Sequence, residues 1–230
     1  MSHLRIAVLD SGINPSHPHV GGLTNGVCLT GDGISEDTID RLGHGTAVAA
    51  LIHALAPGAA IVPVRIFDRT LSTNLSTLLR ALQWCVANGI HVINLSLGTT
   101  NESYRDAFAE VVARVADAGA VLVAPYAMGE KLLLPGTLSG VVGVVADSTC
   151  NDAACTVKPM TFKKAFGAPP YPRDIPGVPR ALNLNGVSFS VARVSAYIAR
   201  AWSSRKEGEP WERFLEARLD QEPIEVLLRQ

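Results

Sequence analysis

Apolar runs bounded by turn residues alternate along the chain with stretches of helical period. Residues 4–9 read as a short buried strand that ends at Asp10. Residues 45–56 read as a helix closed by Pro57-Gly58, and 60–67 as a second strand. Residues 74–87 predict a helix with Leu75, Leu78, Leu79, Leu82 and Val86 on one face. A strand over 91–97 follows, then a helix over 102–118 stopped by Gly119. Residues 119–124 and 141–146 are further apolar strands, while 147–185, rich in Pro and Gly, predicts loops and one hairpin. Helical period returns over 188–202, and the charged tail 203–230 carries Trp211, Phe214, Leu215 and Leu219 at helical spacing.

Strand–helix–strand units with near-continuous apolar strands imply an α/β fold, a mostly parallel sheet with helices on both faces. A site in such a sheet belongs at the carboxyl ends of the strands, where Asp10 and residues 96–98 stand. No internal repeat or linker interrupts the pattern. Residues 1–205 are expected to form one domain, with 206–230 a helical extension of it. The tail is expected to dock on the protein's own sheet or helices, with a partner protein as the other candidate occupant.

Composition narrows the classes. Apolar residues make up 47% of the 230, enough for a substantial core, and 20 basic against 21 acidic residues leave a formal charge of -1. Neither a nucleic acid nor an anionic membrane is called for as partner. No apolar run reaches the roughly 20 residues of a membrane span, and no signal-peptide pattern precedes the first strand. The expected location is therefore cytoplasmic. Cys28, Cys85, Cys150 and Cys155 are expected as free thiols, and no cofactor or metal is called for.

Three segments carry chemistry. Asp10 ends an apolar strand in Ile6-Ala7-Val8-Leu9-Asp10-Ser11-Gly12-Ile13, where a desolvated acid needs a partner. His44 lies between two glycines in Gly43-His44-Gly45-Thr46, which leaves its imidazole open at a helix start. Ser188 follows Asn185-Gly186-Val187 at the head of an apolar helix, whose free N–H groups suit a developing oxyanion. Singly, each has an ordinary reading as a cap or packing residue. Together they supply an acid, a base and a nucleophile, the set needed for acyl transfer by serine.

The order Asp, His, Ser resembles that of the subtilases, the subtilisin-like serine proteases. Asp10-Ser11-Gly12-Ile13 with Ser16-His17-Pro18 resembles the aspartate motif, and Gly43-His44-Gly45-Thr46 with Val48-Ala49 the histidine motif. Gly186-Val187-Ser188-Phe189-Ser190 is similar to the serine motif, usually Gly-Thr-Ser-Met-Ala. Val92-Ile93-Asn94-Leu95-Ser96-Leu97-Gly98 resembles the strand that pairs with substrate backbone. The resemblance runs from about residue 6 to 201. It implies a subtilisin-like three-layer sandwich with Asp10, His44 and Ser188 as catalytic triad. It also implies an extended peptide substrate bound along Ser96, Leu97 and Gly98, with Leu71, Ser72 and Thr73 on the opposite edge.

The sequence departs from that family at four places. Met128 stands where the family places the oxyanion asparagine, and Val187 replaces the usual threonine before the nucleophile. Losing one oxyanion donor costs about 10²–10³ in kcat. Ala192 replaces the usual proline four residues after the serine, leaving room for acyl transfer to an amine. His19 occupies a calcium-ligand position, and residues 45–56 lack the loop that completes that site, so no strong calcium site is expected. The chain also begins almost at the first strand, leaving no room for a propeptide, so it is expected to fold unaided. The expected activity is a restrained serine endopeptidase acting on a dedicated peptide, such as a precursor peptide. The alternatives are a peptide-binding pseudoprotease or scaffold subunit and a peptide ligase or macrocyclase.

Overall fold

Strand β1 (Arg5–Asp10) is the hinge of the architecture, because both of its neighbours arrive from later in the chain. In this computed structural model, residues 4–31, 33–150, 155–206 and 208–219 are described. β1 lies between β3 (Ala60–Arg65) and β4 (Val92–Leu95), parallel to both. Outward from β3 lies β2 (Val27–Cys28). Outward from β4 lie β5 (Val121–Pro125) and β8 (Val141–Ala146), then β10 (Ala165–Ala168) and β9 (Thr156–Lys158). Among the described residues, every pairing in this eight-stranded sheet is parallel except β9 with β10. A small hairpin, β6 (Ala127–Met128) with β7 (Lys131–Leu132), stands apart.

The central strands are largely apolar because each is covered on both faces. One face packs under α1 (His44–Leu55), α4 (Val187–Ala201) and α5 (Trp211–Leu219), around Ile6, Val8, Val123 and Phe189. The other packs under α2 (Leu75–Ala87) and α3 (Arg105–Asp117), around Ala7, Leu9, Ile93 and Leu122. Alternate residues of β1 thus feed different cores, the period of two expected of a strand. The expected three-layer sandwich with helices on both faces is the observed architecture.

Asn74 caps α2, its side chain accepting from the Thr77 N–H at 2.8 Å. The predicted 102–118 helix opens with a 3₁₀ turn (Glu102–Tyr104), where Asn101 accepts from the Ser103 N–H. The hairpin expected within 147–185 is β9–β10, and β10 also extends the parallel sheet beside β8. In the tail, Trp211, Phe214 and Leu215 are buried in the first core, and Lys164 pairs with Glu216 at 2.9 Å. Residue 207 and residues 220–230 of the expected extension lie outside the described residues.

Candidate active site

The parallel register sets the site. Leu9 lies opposite Leu95, so the chain leaves β1 at Asp10 alongside the point where it leaves β4 at Ser96. Both points are at carboxyl ends, where helices begin and side chains converge. Asp10 is fully buried, and its Oδ1 accepts from the Ser11 N–H at 2.7 Å. His44 opens α1, and its Nδ1 lies 2.8 and 2.9 Å from the two oxygens of Asp10. With Nδ1–H donated to the carboxylate, Nε2 is left as the accepting nitrogen. Burial opposes charge on the ring, but the hydrogen bond and charge of Asp10, aided by Asp40, hold the imidazole above its ordinary value.

The close fit of α1 to β1 rests on a glycine. A Cβ on Gly45 would stand 2.2 Å from the Gly12 carbonyl oxygen, so only glycine lets the histidine helix approach the aspartate strand. The Gly45 N–H donates to Ser11 Oγ at 2.9 Å. Asp40 ties off the loop before His44. Its carboxylate accepts from the N–H groups of Leu42 and Gly43, each at 2.8 Å, and from Thr46 N–H at 2.9 Å and Oγ1 at 2.6 Å. Burial works against its ionisation, yet these donors hold its carboxyl below the usual range.

Ser188 sits in the first turn of α4, where its N–H has no intrahelical acceptor. Its hydroxyl donates to the Ser96 carbonyl at 3.3 Å, so in this geometry the proton points to the β4 edge and not to His44. Phe189, the next residue, lies with its ring 5.8 Å from the imidazole, which puts the head of α4 against the Asp10–His44 pair. The helix is pinned from behind. Ser195 donates to the buried Asn94 Oδ1 at 3.1 Å, and Asn94 Nδ2 donates to Ser96 Oγ at 3.1 Å.

The two expected cleft edges do face each other. A cavity of about 250 Å³ is lined by Leu71, Ser72, Thr73, Leu97, Gly98 and Tyr104 among others. Ser72 is exposed there, its hydroxyl 2.8 Å from that of Thr70. Gly98 is held against the segment after β7, for a Cβ on it would lie 2.8 Å from Leu133 Cβ. Met128 is 62% exposed on β6 and brings no side-chain N–H. Among the described residues, no group of three or more His, Cys, Asp or Glu stands close enough together to hold a metal ion.

Sequence reasoning brought Asp10, His44, Ser188 and the 96–98 edge together, but it missed Asp40 and gave Asn94 no role. Asn94 carried a signal, an amide in the middle of the apolar run 92–95. Asp40 carried a weaker one, an acid placed to receive N–H groups at a helix start.

Comparison with known proteins fits this arrangement. The sequence profile of the subtilase family (Peptidase_S8) matches residues 2–154. The minor extracellular protease Epr of Bacillus subtilis is 33% identical over 165 residues, covering 66% of this chain and 24% of that protein. A thermostable alkaline protease of Halalkalibacterium halodurans is 35% identical over 153 residues, 62% of this chain and 41% of that protein. The chain thus matches only about a quarter to two fifths of the length of these relatives. Among solved structures, a lanthipeptide protease aligns over 98% of this chain and 78% of its own, with a TM-score of 0.65 at 18% identity, a likeness of fold. With the profile spanning well over half of its residues, the chain belongs to the subtilase family.

Proposed function

We propose that the protein is a serine endopeptidase that cleaves a peptide lying extended along residues 96–98. The observation that carries this reading is the buried Asp10 bonded through both oxygens to His44 Nδ1, with the Ser188 hydroxyl at the adjoining strand edge. A buried carboxylate facing an imidazole serves no packing purpose that an apolar pair would not serve better. It suits a base that must become cationic as it takes a proton.

In the proposed reaction, rotation of the Ser188 side chain moves its hydroxyl from the Ser96 carbonyl to His44 Nε2. His44 takes the proton as Oγ attacks the scissile carbonyl, and Asp10 stabilises the imidazolium. The free Ser188 N–H at the start of α4 faces the developing oxyanion. His44 then returns the proton to the leaving amine, and water attacks the acyl-enzyme by the same route. With Met128 in place of an amide side chain, the reaction runs with fewer donors and correspondingly slower. A dedicated peptide substrate fits so restrained a site, and the structurally similar lanthipeptide protease is named for one. Four free cysteines support a reducing, cytoplasmic setting.

A fluorophosphonate probe should label the wild-type protein at Ser188 and leave Ser188→Ala unlabelled. The missing side-chain donor and the Ser188 hydroxyl turned to Ser96 favour a second reading, a peptide-binding pseudoprotease. Absence of labelling, with peptide affinity retained in Ser188→Ala, would establish that reading instead.

A further inference from the structure

A second cavity, of about 480 Å³ and larger than that beside residues 97–99, opens next to the start of α1. Gly43, Thr46 and Ala47 form one wall, so it begins at the residues flanking His44. Asn183 and Leu184, four to five residues before Ser188, form part of the opposite wall with Pro172, Arg173, Ile175 and Pro176. The 96–98 edge has its own cavity, which shares no lining residue with this one. Through Gly43 and Leu184 the cavity adjoins, along the chain, both His44 and Ser188.

The lining combines apolar surface with a charge that has no ion-pair partner among the described residues. Ile175 and Leu184 are 50% and 55% exposed, and Val178 and Leu182 of the same segment are exposed too. Large apolar side chains gathered on one loop beside a cleft are characteristic of a binding surface. Of the two acids in the lining, Asp40 is occupied by the four donors described above. Asp174 is paired with Arg180, through Nε and Nη2 at 3.1 Å each. Arg173 uses its backbone carbonyl to hold Asn183, and its guanidinium has no ion-pair partner among the described residues. His17 and His19 add imidazole edges on the third side.

We propose that this cavity holds the leaving-group side of the peptide substrate, and that it selects a segment in which an acidic side chain is flanked by apolar ones. The acid pairs with Arg173 while its neighbours cover Ile175 and Leu184. This rests on the endopeptidase reading for the direction of the peptide, but binding can be measured without turnover.

The test uses the Ser188→Ala protein and fluorescence anisotropy with three fluorescein-labelled peptides. Two share the acyl side and carry Leu-Asp-Leu or Leu-Lys-Leu on the leaving side; the third ends at the scissile position. The Leu-Asp-Leu peptide should bind about tenfold tighter than its lysine counterpart, a difference of about 1.4 kcal/mol. Arg173→Glu should reverse that order, and Ile175→Ser should weaken both long peptides. Arg213→Glu, an equal charge change at an exposed position of α5, should preserve the order. Circular dichroism establishes that each variant is folded. Equal binding of the two long peptides overturns the proposal. So does an equal effect of Arg173→Glu on the third peptide, or an equal effect from Arg213→Glu. Failure of the endopeptidase reading appears separately, as absence of fluorophosphonate labelling in the wild type.

Discussion

At the scale of single residues, the site depends on two carboxylates with different tasks. Asp10 touches the imidazole, whereas Asp40 acts through the loop that precedes it. Removing the Asp40 charge takes away one of the influences that raise the His44 pKa. In Asp40→Ala the acid limb of the kcat/KM profile should therefore move to lower pH, and NMR titration of the His44 ring should move with it. Loosening the loop should also lower kcat/KM by about 10- to 100-fold. An unchanged His44 titration with reduced activity would mean that Asp40 acts through geometry alone. The pair also links to stability. Since the folded pKa of His44 exceeds the reference value of 6.5, its contribution is full below that pH and fades as pH rises through the folded value. Asp10, His44 and Ser188 were legible in sequence as candidates because the proposed acyl transfer demands those residue types, and their flanking motifs are specific. Asp40 was not, because an acid becomes a loop clasp only once four donors have folded around it.

Among the elements, the long helices and central strands follow from periodicity alone. Here the apolar spacing of α2 and the unbroken apolar runs of β1 and β8 agree with their burial. The shorter pieces do not announce themselves. β10 reads Ala165-Phe166-Gly167-Ala168, poor in strand formers, and is a strand because β8 and β9 bond to it from both sides. Helix α5 was foreseen from Trp211, Phe214 and Leu215, but not the polar clasp that seats it. Lys163 Nζ donates to the carbonyls of Leu138, at 2.6 Å, and Val141, with Glu212 of α5 at 3.8 Å. Phe214→Ala should cost about 3 kcal/mol in urea unfolding, the usual loss for truncating a buried phenylalanine. Burial pushes the Lys163 ammonium down to about 8, against the charge of Glu212. The unfolded chain then holds that proton more tightly, so stability should rise with pH between about 8 and 10.5. Urea midpoints taken across that window, beside those of Lys163→Met, measure the effect; equal slopes for both proteins would refute it.

For the molecule as a whole, the sheet order joins segments far apart in the chain, and large apolar cores lie on both of its faces. α1 runs to Leu55 and passes within five residues into β3, without the excursion that would complete an oxygen cage around position 19. A chelator such as EDTA should therefore leave the melting temperature unchanged, and a drop of several degrees would reveal a bound cation. The pin between Ser195 and Asn94 also sets a timetable for synthesis. Asp10 and His44 are made before Ser188, which is seated only when α4, about 140 residues further on, packs over β4. A growing chain therefore carries the proposed acid and base long before the proposed nucleophile. On the endopeptidase reading, copies not yet extended through α4 cannot cut one another, and hydrolysis waits for that helix to pack.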